Sequence, residues 1–117
     1  MRKVLLDHCV PRPFERLLPG HEARHTSRLG WGGLSNGRLL AAAEEAGFEV
    51  LLTIDQNLRY EQNMSGRRIA VLLLKSPRND IPTLTPMAGS VLLALEDIEP
   101  GTIHAVEHPD PPRKGGG

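Results

Sequence analysis

Two aspartates, Asp7 and Asp55, each follow a short run of apolar residues. Residues 4–6 precede the first, and residues 50–54, apolar except for one threonine, precede the second. Such runs are typical of strands buried on both faces of a parallel sheet, and ligands bind beyond the carboxyl ends of these strands. Both carboxylates are therefore expected at one crevice, where two acids can hold a divalent cation such as Mg²⁺ or Mn²⁺.

The elements that must position this pair alternate between strand and helix. The predicted strands are residues 4–6, 21–26, 50–54, 69–74 and 102–106, and the predicted helices are residues 14–18, 36–46 and 82–98. Of the strands, residues 21–26 are weakly specified and suit an edge. This alternation predicts an α/β fold, a three-layer sandwich with a mostly parallel central sheet. Lys75 also follows a predicted strand, so it is expected at the same edge of the sheet as Asp7 and Asp55.

A few residues set the ends of the predicted helices. Gly47 is placed to end the middle helix, in which Glu44 would face water. Asp80 or Thr85 could cap the last helix, with Pro86 either in its first turn or at a kink.

Chain length and composition fit one domain. With 117 residues there is room for one core, expected over residues 1–107, followed by a disordered tail at residues 108–117 that is rich in proline and glycine. Fourteen basic side chains offset fourteen acidic ones, which gives no overall bias toward nucleic acid or membrane. Residues 1–40 nevertheless carry seven Arg or Lys against three acids, which predicts either a mildly basic face or an ordinary solvated one.

Cysteine content and hydropathy indicate a cellular compartment. The single cysteine, Cys9, excludes an internal disulfide and a zinc site built from several thiolates. No stretch approaches the roughly 20 apolar residues of a membrane span, and the first residues do not have the pattern of a signal peptide. These features predict a soluble protein of the cytoplasm.

Four segments carry a family resemblance. They are LLDHCVP at residues 5–11, LGW at 29–31, SNGRLL at 35–40 followed by Ala43, and VLLTIDQNL at 50–58. Together they resemble the small bacterial PIN-like domains, relatives of the PIN-domain ribonucleases that act as toxins in toxin–antitoxin pairs. The resemblance covers about residues 2–106. It implies a PIN-like fold, cleavage of RNA with Mg²⁺ or Mn²⁺ held by a ring of acids, and an antitoxin-like protein partner.

Three positions depart from the pattern of that family. Relatives commonly carry acids where this chain has His8, Asn36 and Asn57. Asp7 and Asp55 then remain as the catalytic and metal-binding residues, supported by the softer or neutral donors of the other three positions. Two carboxylates are a bare minimum for Mg²⁺, which keeps several water ligands, so we expect a weak nuclease or an inactive one.

Basic and aromatic residues after the second aspartate are candidates for binding single-stranded RNA. Arg59, Arg67 and Arg68 could contact the phosphate backbone, and Tyr60 could stack on a base. The alternative is that these residues form a solvated loop.

The candidate site residues also have purely structural interpretations. Asp7 could cap the helix that follows it, and Asp55 could form an Asx turn with Asn57. Cys9 lies beside His8, but neighbours on an extended chain point to opposite sides, which favours a small buried side chain over an activated thiolate.

Two other classes of function compete with the nuclease. The first is a catalytically inactive PIN-like module, for which the excess of apolar residues at Val91, Leu92 and Leu93 suggests a homodimer or a protein partner. The second is a phosphoacceptor receiver domain, suggested by Asp55 and Lys75. It fits poorly, because receivers carry an acidic pair after the first strand, where Asp7 stands alone.

Overall fold

A parallel β-sheet forms the centre of the molecule. A computed structural model describes residues 1–58 and 63–109, and within them all four strand pairings are parallel. The strands are β1 (Lys3–Leu6), β2 (Glu22–His25), β3 (Val50–Thr53), β4 (Ala70–Lys75) and β5 (Ile103–Glu107), in the spatial order β2-β1-β3-β4-β5. The predicted α/β class and parallel sheet are confirmed, and the weakly specified strand near residue 24 lies at an edge of the sheet.

The helices are shorter than the sequence pattern predicts. The described chain has α1 (Asn36–Glu45), α2 (Ile81–Leu84) and α3 (Ala88–Asp97), with 3-10 helices at Arg12–Leu17, Thr26–Arg28 and Thr85–Met87. The predicted helix at residues 82–98 is divided in two, because Pro86 lacks an N–H group and lies in the 3-10 segment. Asp80 caps α2 as predicted, since its side chain accepts a 2.9 Å hydrogen bond from the N–H of Thr83. In the described chain, no helix has the length and apolar character needed to cross a membrane.

Both faces of the sheet are covered. Alternate residues of each buried strand point to opposite faces, so Leu5 and Leu51 pack with α1, whereas Leu6 and Leu52 pack with α3. Phe14, from the first 3-10 helix, joins α3 on its side of the sheet. Helices on both faces of a parallel sheet are compatible with a three-layer sandwich.

Two connections that move in the same direction across the sheet lie on opposite faces. Helix α1 links β2 to β3 on one face, and the segment from α2 to α3 links β4 to β5 on the other. The two crossovers therefore have opposite hands, although parallel crossovers are almost always right-handed. The strand order matches doubly wound folds of the flavodoxin and receiver type, but the β5 end of the sheet departs from them.

The sequence predicts that Glu44 faces water, and this prediction is wrong. Its carboxylate accepts hydrogen bonds from the N–H groups of Arg68 (2.6 Å) and Ile69 (3.3 Å) and from Arg67 Nη1 (2.9 Å), and its side chain is only 13% exposed. Burial acts to raise the pKa of Glu44, but these hydrogen bonds outweigh it and hold the pKa below its ordinary value. Glu44 thus ties α1 to the segment that enters β4.

Removing this tie is expected to destabilise the fold. Glu44→Ala should lower the free energy of unfolding by about 1.5–3 kcal/mol, because it leaves partly buried N–H groups without an acceptor. Glu45→Ala is the matched control, since Glu45 is exposed, and should change stability by less than about 0.5 kcal/mol. Urea denaturation of both variants checks the difference, and equal midpoints would contradict it.

The contribution of Glu44 should also depend on pH. Because its folded pKa lies below its unfolded value, the stabilisation is complete above the unfolded pKa and is lost as the pH falls through the folded pKa. The gap in unfolding free energy between wild type and Glu44→Ala should therefore shrink on acidification from about pH 7. A gap that stays constant down to the acid transition would be inconsistent with an ionised tie.

Candidate functional site

A cleft opens at the carboxyl ends of the central strands. From β1 the chain moves to β2 on one side, and from β3 it moves to β4 on the other, so the strand order reverses between β1 and β3. Ligands of open α/β sheets bind outside such a switch point. The cleft has a volume of about 480 Å³, and its lining consists of His8, Cys9, Ile54, Asp55, Ser76, Pro77, Arg78 and Asn79.

Asp7 lies at the end of β1 and does not line the cleft. It is 1% exposed, and both carboxylate oxygens are engaged. Oδ1 accepts the N–H of His8 at 2.8 Å, and Oδ2 accepts the hydroxyl of Thr53 at 2.8 Å. The side chain does not cap the following 3-10 helix, whose N-cap is Pro11. Asp7 therefore ties the end of β1 to the end of β3.

Thr53 connects the two aspartates. While its hydroxyl donates to Asp7, its Oγ1 accepts the N–H of Asp55 at 3.1 Å and lies 3.6 Å from Cys9 Sγ. From the sequence alone, Thr53 is part of the segment at residues 50–58 and is given no role of its own. At the shared edge of the parallel strands, Thr53 therefore links the carboxylate of Asp7 to the backbone of Asp55.

Asp55 is the carboxylate that faces the cleft. Its Oδ1 accepts the N–H of Asn57 at 3.0 Å, which forms the Asx turn considered from the sequence. Its Oδ2 accepts no hydrogen bond from any residue in the two described segments. Asn57 itself is exposed. A half-buried carboxylate with one oxygen uncommitted can bind a cation or accept a proton.

His8 and Cys9 line the same cleft but differ in the chemistry that they can perform. The His8 side chain is 67% exposed, and its Nδ1 lies 3.1 Å from Asp7 Oδ1. Burial, with a smaller contribution from the charge of Asp7, raises the pKa of the Cys9 thiol. A raised pKa disfavours the thiolate, so Cys9 does not have the character of a nucleophile.

The remaining predicted site residues lie elsewhere. Asn36 is the first residue of α1 and is not part of the cleft lining. Arg67 and Arg68 precede β4, so they lie at the opposite edge of the sheet, where Arg67 pairs with Glu44. Arg59 and Tyr60 lie outside the described residues.

Lys75 reaches the same edge as Asp7 and Asp55, as its position after a strand predicts. Its Nζ lies 3.1 Å from Glu107 Oε2, and it does not line the cleft. The lysine and aspartate that suggested a receiver domain therefore do not share a pocket.

The loop after β4 contributes residues that sequence reasoning did not single out. Arg78 is 74% exposed and pairs with Asp80 at 2.8 Å, and Asn79 Nδ2 donates to the backbone oxygen of Cys9 at 3.3 Å. No motif marks these residues. The only signal was their position after a buried parallel strand.

The donor set suits a hydrated cation and does not suit a cage of protein ligands. Across residues 1–58 and 63–109, no group of three or more His, Cys, Asp or Glu side chains could hold a metal ion. Asp55 offers one uncommitted oxygen, whereas both oxygens of Asp7 already accept hydrogen bonds. Mg²⁺ commonly binds through one or two carboxylates and keeps several waters, so these residues fit an ion that substrate phosphate completes.

Comparisons with protein-family models, with curated proteins and with solved structures found no match. The PIN-like family and the ribonuclease activity therefore stay predictions. The geometry at the carboxyl edge of the sheet supplies the support for a function.

The two aspartates should differ in their effect on stability. Asp7→Ala is expected to destabilise the fold by about 3 kcal/mol, because it leaves the buried hydroxyl of Thr53 and the partly buried N–H of His8 without an acceptor. Asp55→Asn should leave stability within about 0.5 kcal/mol of wild type, since an amide oxygen can still accept the N–H of Asn57. Urea denaturation measures both.

The linking hydroxyl can be tested in the same way. Thr53→Val keeps the side-chain shape but removes both hydrogen bonds, with an expected loss of about 1–3 kcal/mol. Thr102→Val is the matched control, because the Thr102 hydroxyl is exposed and donates only to the backbone of Glu99. Equal losses for the two variants would show that the link contributes nothing.

Proposed function

We propose that this chain is a PIN-like domain that binds single-stranded RNA at the cleft and cleaves it weakly with one Mg²⁺ or Mn²⁺. The observation that carries the proposal is the Thr53 hydroxyl, which joins Asp7 and Asp55 at the switch point of a parallel sheet. Asp55 opens onto the cleft and Asp7 lies buried at the same edge of the sheet, and two carboxylates are the minimum that metal-assisted phosphodiester chemistry requires.

The roles of the two acids differ. Asp55 would hold the ion from the cleft side through its uncommitted oxygen, and Asp7 would contribute negative charge from beneath. A bound divalent ion neutralises charge on the phosphate and lowers the pKa of a bound water. Asp7 has both oxygens in hydrogen bonds, so its share of the binding is the weaker one.

His8 supplies a group that can move a proton at the mouth of the cleft. When the neutral ring donates from Nδ1 to Asp7 Oδ1, its Nε2 carries the free lone pair. That nitrogen can accept a proton from water, and Asp7 orients the ring for this. His8 is largely exposed to solvent, and only two carboxylates, those of Asp7 and Asp55, are present. We therefore expect a low rate of RNA cleavage.

Metal binding tests the proposal directly. Calorimetric titration of wild type with Mn²⁺ should show binding, and Asp55→Asn should abolish it while the urea midpoint stays unchanged. Asp97→Asn is the matched control, because Asp97 is exposed on α3 and does not line the cleft. Cleavage of labelled single-stranded RNA should require Mn²⁺. It should be lost in Asp55→Asn and retained in Asp97→Asn.

Two results would refute the nuclease. One is the absence of Mn²⁺ binding in the folded wild type, and the other is RNA cleavage that persists in Asp55→Asn or in excess EDTA. Cleavage of the second kind would come from a contaminating nuclease and not from the proposed site.

A second candidate is a catalytically inactive PIN-like binding module. Two observations favour it: both oxygens of Asp7 are already engaged, and Leu93 on α3 is 68% exposed. An exposed leucine on a helix suits contact with a second copy of the chain or with an antitoxin-like protein.

The association state tests this candidate. If Leu93 lies in a homodimer interface, wild type should sediment as a dimer and Leu93→Lys as a monomer with the same secondary structure. Glu96→Lys, an exposed change on the same helix, should leave the dimer intact. Monomeric wild type at concentrations of about 100 μM would exclude a stable homodimer, because such a state has a Kd well above the micromolar range.

A further inference from the structure

A second, smaller hollow lies beside the cleft and is lined mainly by arginines. Its volume is about 110 Å³, and its lining consists of Arg12, Pro13, Glu15, Arg16 and Arg28. We refer to it as the arginine hollow. Pockets for drug-sized molecules have volumes of about 300–1,000 Å³, so the arginine hollow suits one small group.

The fold brings these arginines together from separate segments. Arg12 begins the 3-10 helix that follows β1, and Arg28 ends the 3-10 helix that directly follows β2. Both segments emerge at the carboxyl edge of the sheet, the same edge that carries Asp55. Because the cleft is lined by residues that follow β1, β3 and β4, the arginine hollow lies toward β2 along this edge.

Glu15 fixes one of the three guanidinium groups. Its carboxylate accepts from Arg28 Nε (2.8 Å) and Nη2 (2.9 Å), and it also accepts the N–H of His25 at 2.6 Å. His25 is buried and contacts the backbone oxygen of Val10 through Nε2 at 2.8 Å. Arg28 is therefore held in a defined position by a buried support.

The other two arginines are uncommitted. Arg12 and Arg16 are exposed, and neither forms a hydrogen bond or a salt bridge with any described residue. Three guanidinium groups face one carboxylate, which leaves an excess of positive charge around the hollow. Guanidinium groups bind phosphate oxygens with charge-assisted and often bidentate hydrogen bonds.

We propose that the arginine hollow binds a backbone phosphate of single-stranded RNA whose adjoining segment lies in the cleft. This inference rests on the proposed function and names the residues that bind its substrate. Arg12 and Arg16 contact the phosphate directly, and Arg28 contributes its charge from a fixed position. One strand can reach both places, because they share an edge of the sheet. Arg67 and Arg68 lie at the opposite edge and cannot contact that strand in the cleft.

Binding measured without metal isolates this contribution. The probe is a fluorescently labelled single-stranded oligouridine, and its anisotropy is followed in EDTA, where cleavage does not occur. The double variant Arg12→Ala/Arg16→Ala should bind at least about tenfold more weakly than wild type, a loss of about 1.4 kcal/mol, because it removes charge-assisted contacts to the phosphate. The slope of log K against log salt should fall by about 0.7, the value for one phosphate contact on a single strand.

Two controls separate the arginine hollow from general charge. Arg68→Ala removes one exposed arginine at the opposite edge and should leave affinity and salt slope close to those of wild type. Arg12→Lys/Arg16→Lys keeps both charges and should retain the salt slope while losing some affinity. Because Arg12 and Arg16 are exposed, all three variants should keep the wild-type urea midpoint.

The outcomes distinguish this inference from the nuclease proposal. RNA binding that depends on Arg12 and Arg16 without any Mn²⁺-dependent cleavage upholds the arginine hollow and removes the nuclease. Cleavage that depends on Asp55, together with unchanged RNA affinity in the double variant, overturns the arginine hollow alone. Binding of inorganic phosphate through Arg12 and Arg16 with no RNA binding also overturns it, because the hollow then serves a free anion.

Discussion

The carboxylate of Asp7 is buried at the carboxyl ends of two buried strands, β1 and β3. Removing such a group from water is costly unless hydrogen bonds compensate. The N–H of His8 and the hydroxyl of Thr53 supply that compensation, one for each oxygen. Because these donors come from the chain after β1 and from the end of β3, satisfying one acid fixes both strand ends. The N–H of Asp55 then bonds to the same threonine, and its side chain turns toward the cleft. The geometry of the candidate site follows from how one buried charge is satisfied.

Much of the sheet was predictable, because its central strands are continuous apolar runs, and Asp80 and Gly47 mark helix ends by local chemistry. Gly47 has a φ of +86°, which ordinary side chains disfavour. What local patterns could not show were effects of distant partners. Glu44 looked solvated because its partners, Arg68 and Ile69, are more than twenty residues away in sequence. The pattern of apolar residues likewise does not show that the connection from β4 to β5 lies on the face of the sheet opposite α1.

The candidate site shows the same division between local pattern and long-range assembly. The convergence of Asp7 and Asp55 could be predicted, since parallel strands share a carboxyl edge. The burial of Asp7 could not, because it depends on the hydroxyl of Thr53 from another strand. Arg67 comes soon after Asp55 in sequence. Because β3 and β4 are parallel, however, residues just before β4 lie at the amino edge of the sheet, opposite Asp55. Arg12, Arg16 and Arg28 instead gather at the near edge, and only the excess of basic residues in positions 1–40 pointed to them.

The chain has no net charge, but three arginines gather at one part of the carboxyl edge of the sheet, where Glu15 is the one carboxylate in the lining of the hollow. Arginines surround the hollow on the β1–β2 side, whereas the carboxylates lie under and beside the cleft toward β3. A polyanion approaching this edge would be attracted by Arg12 and Arg16 and repelled by the carboxylate of Asp55. A divalent cation at Asp55 would reverse the sign of that half of the edge. Attraction to the arginines and attraction to the metal are thus separate contributions, so a strand can be held without being cut.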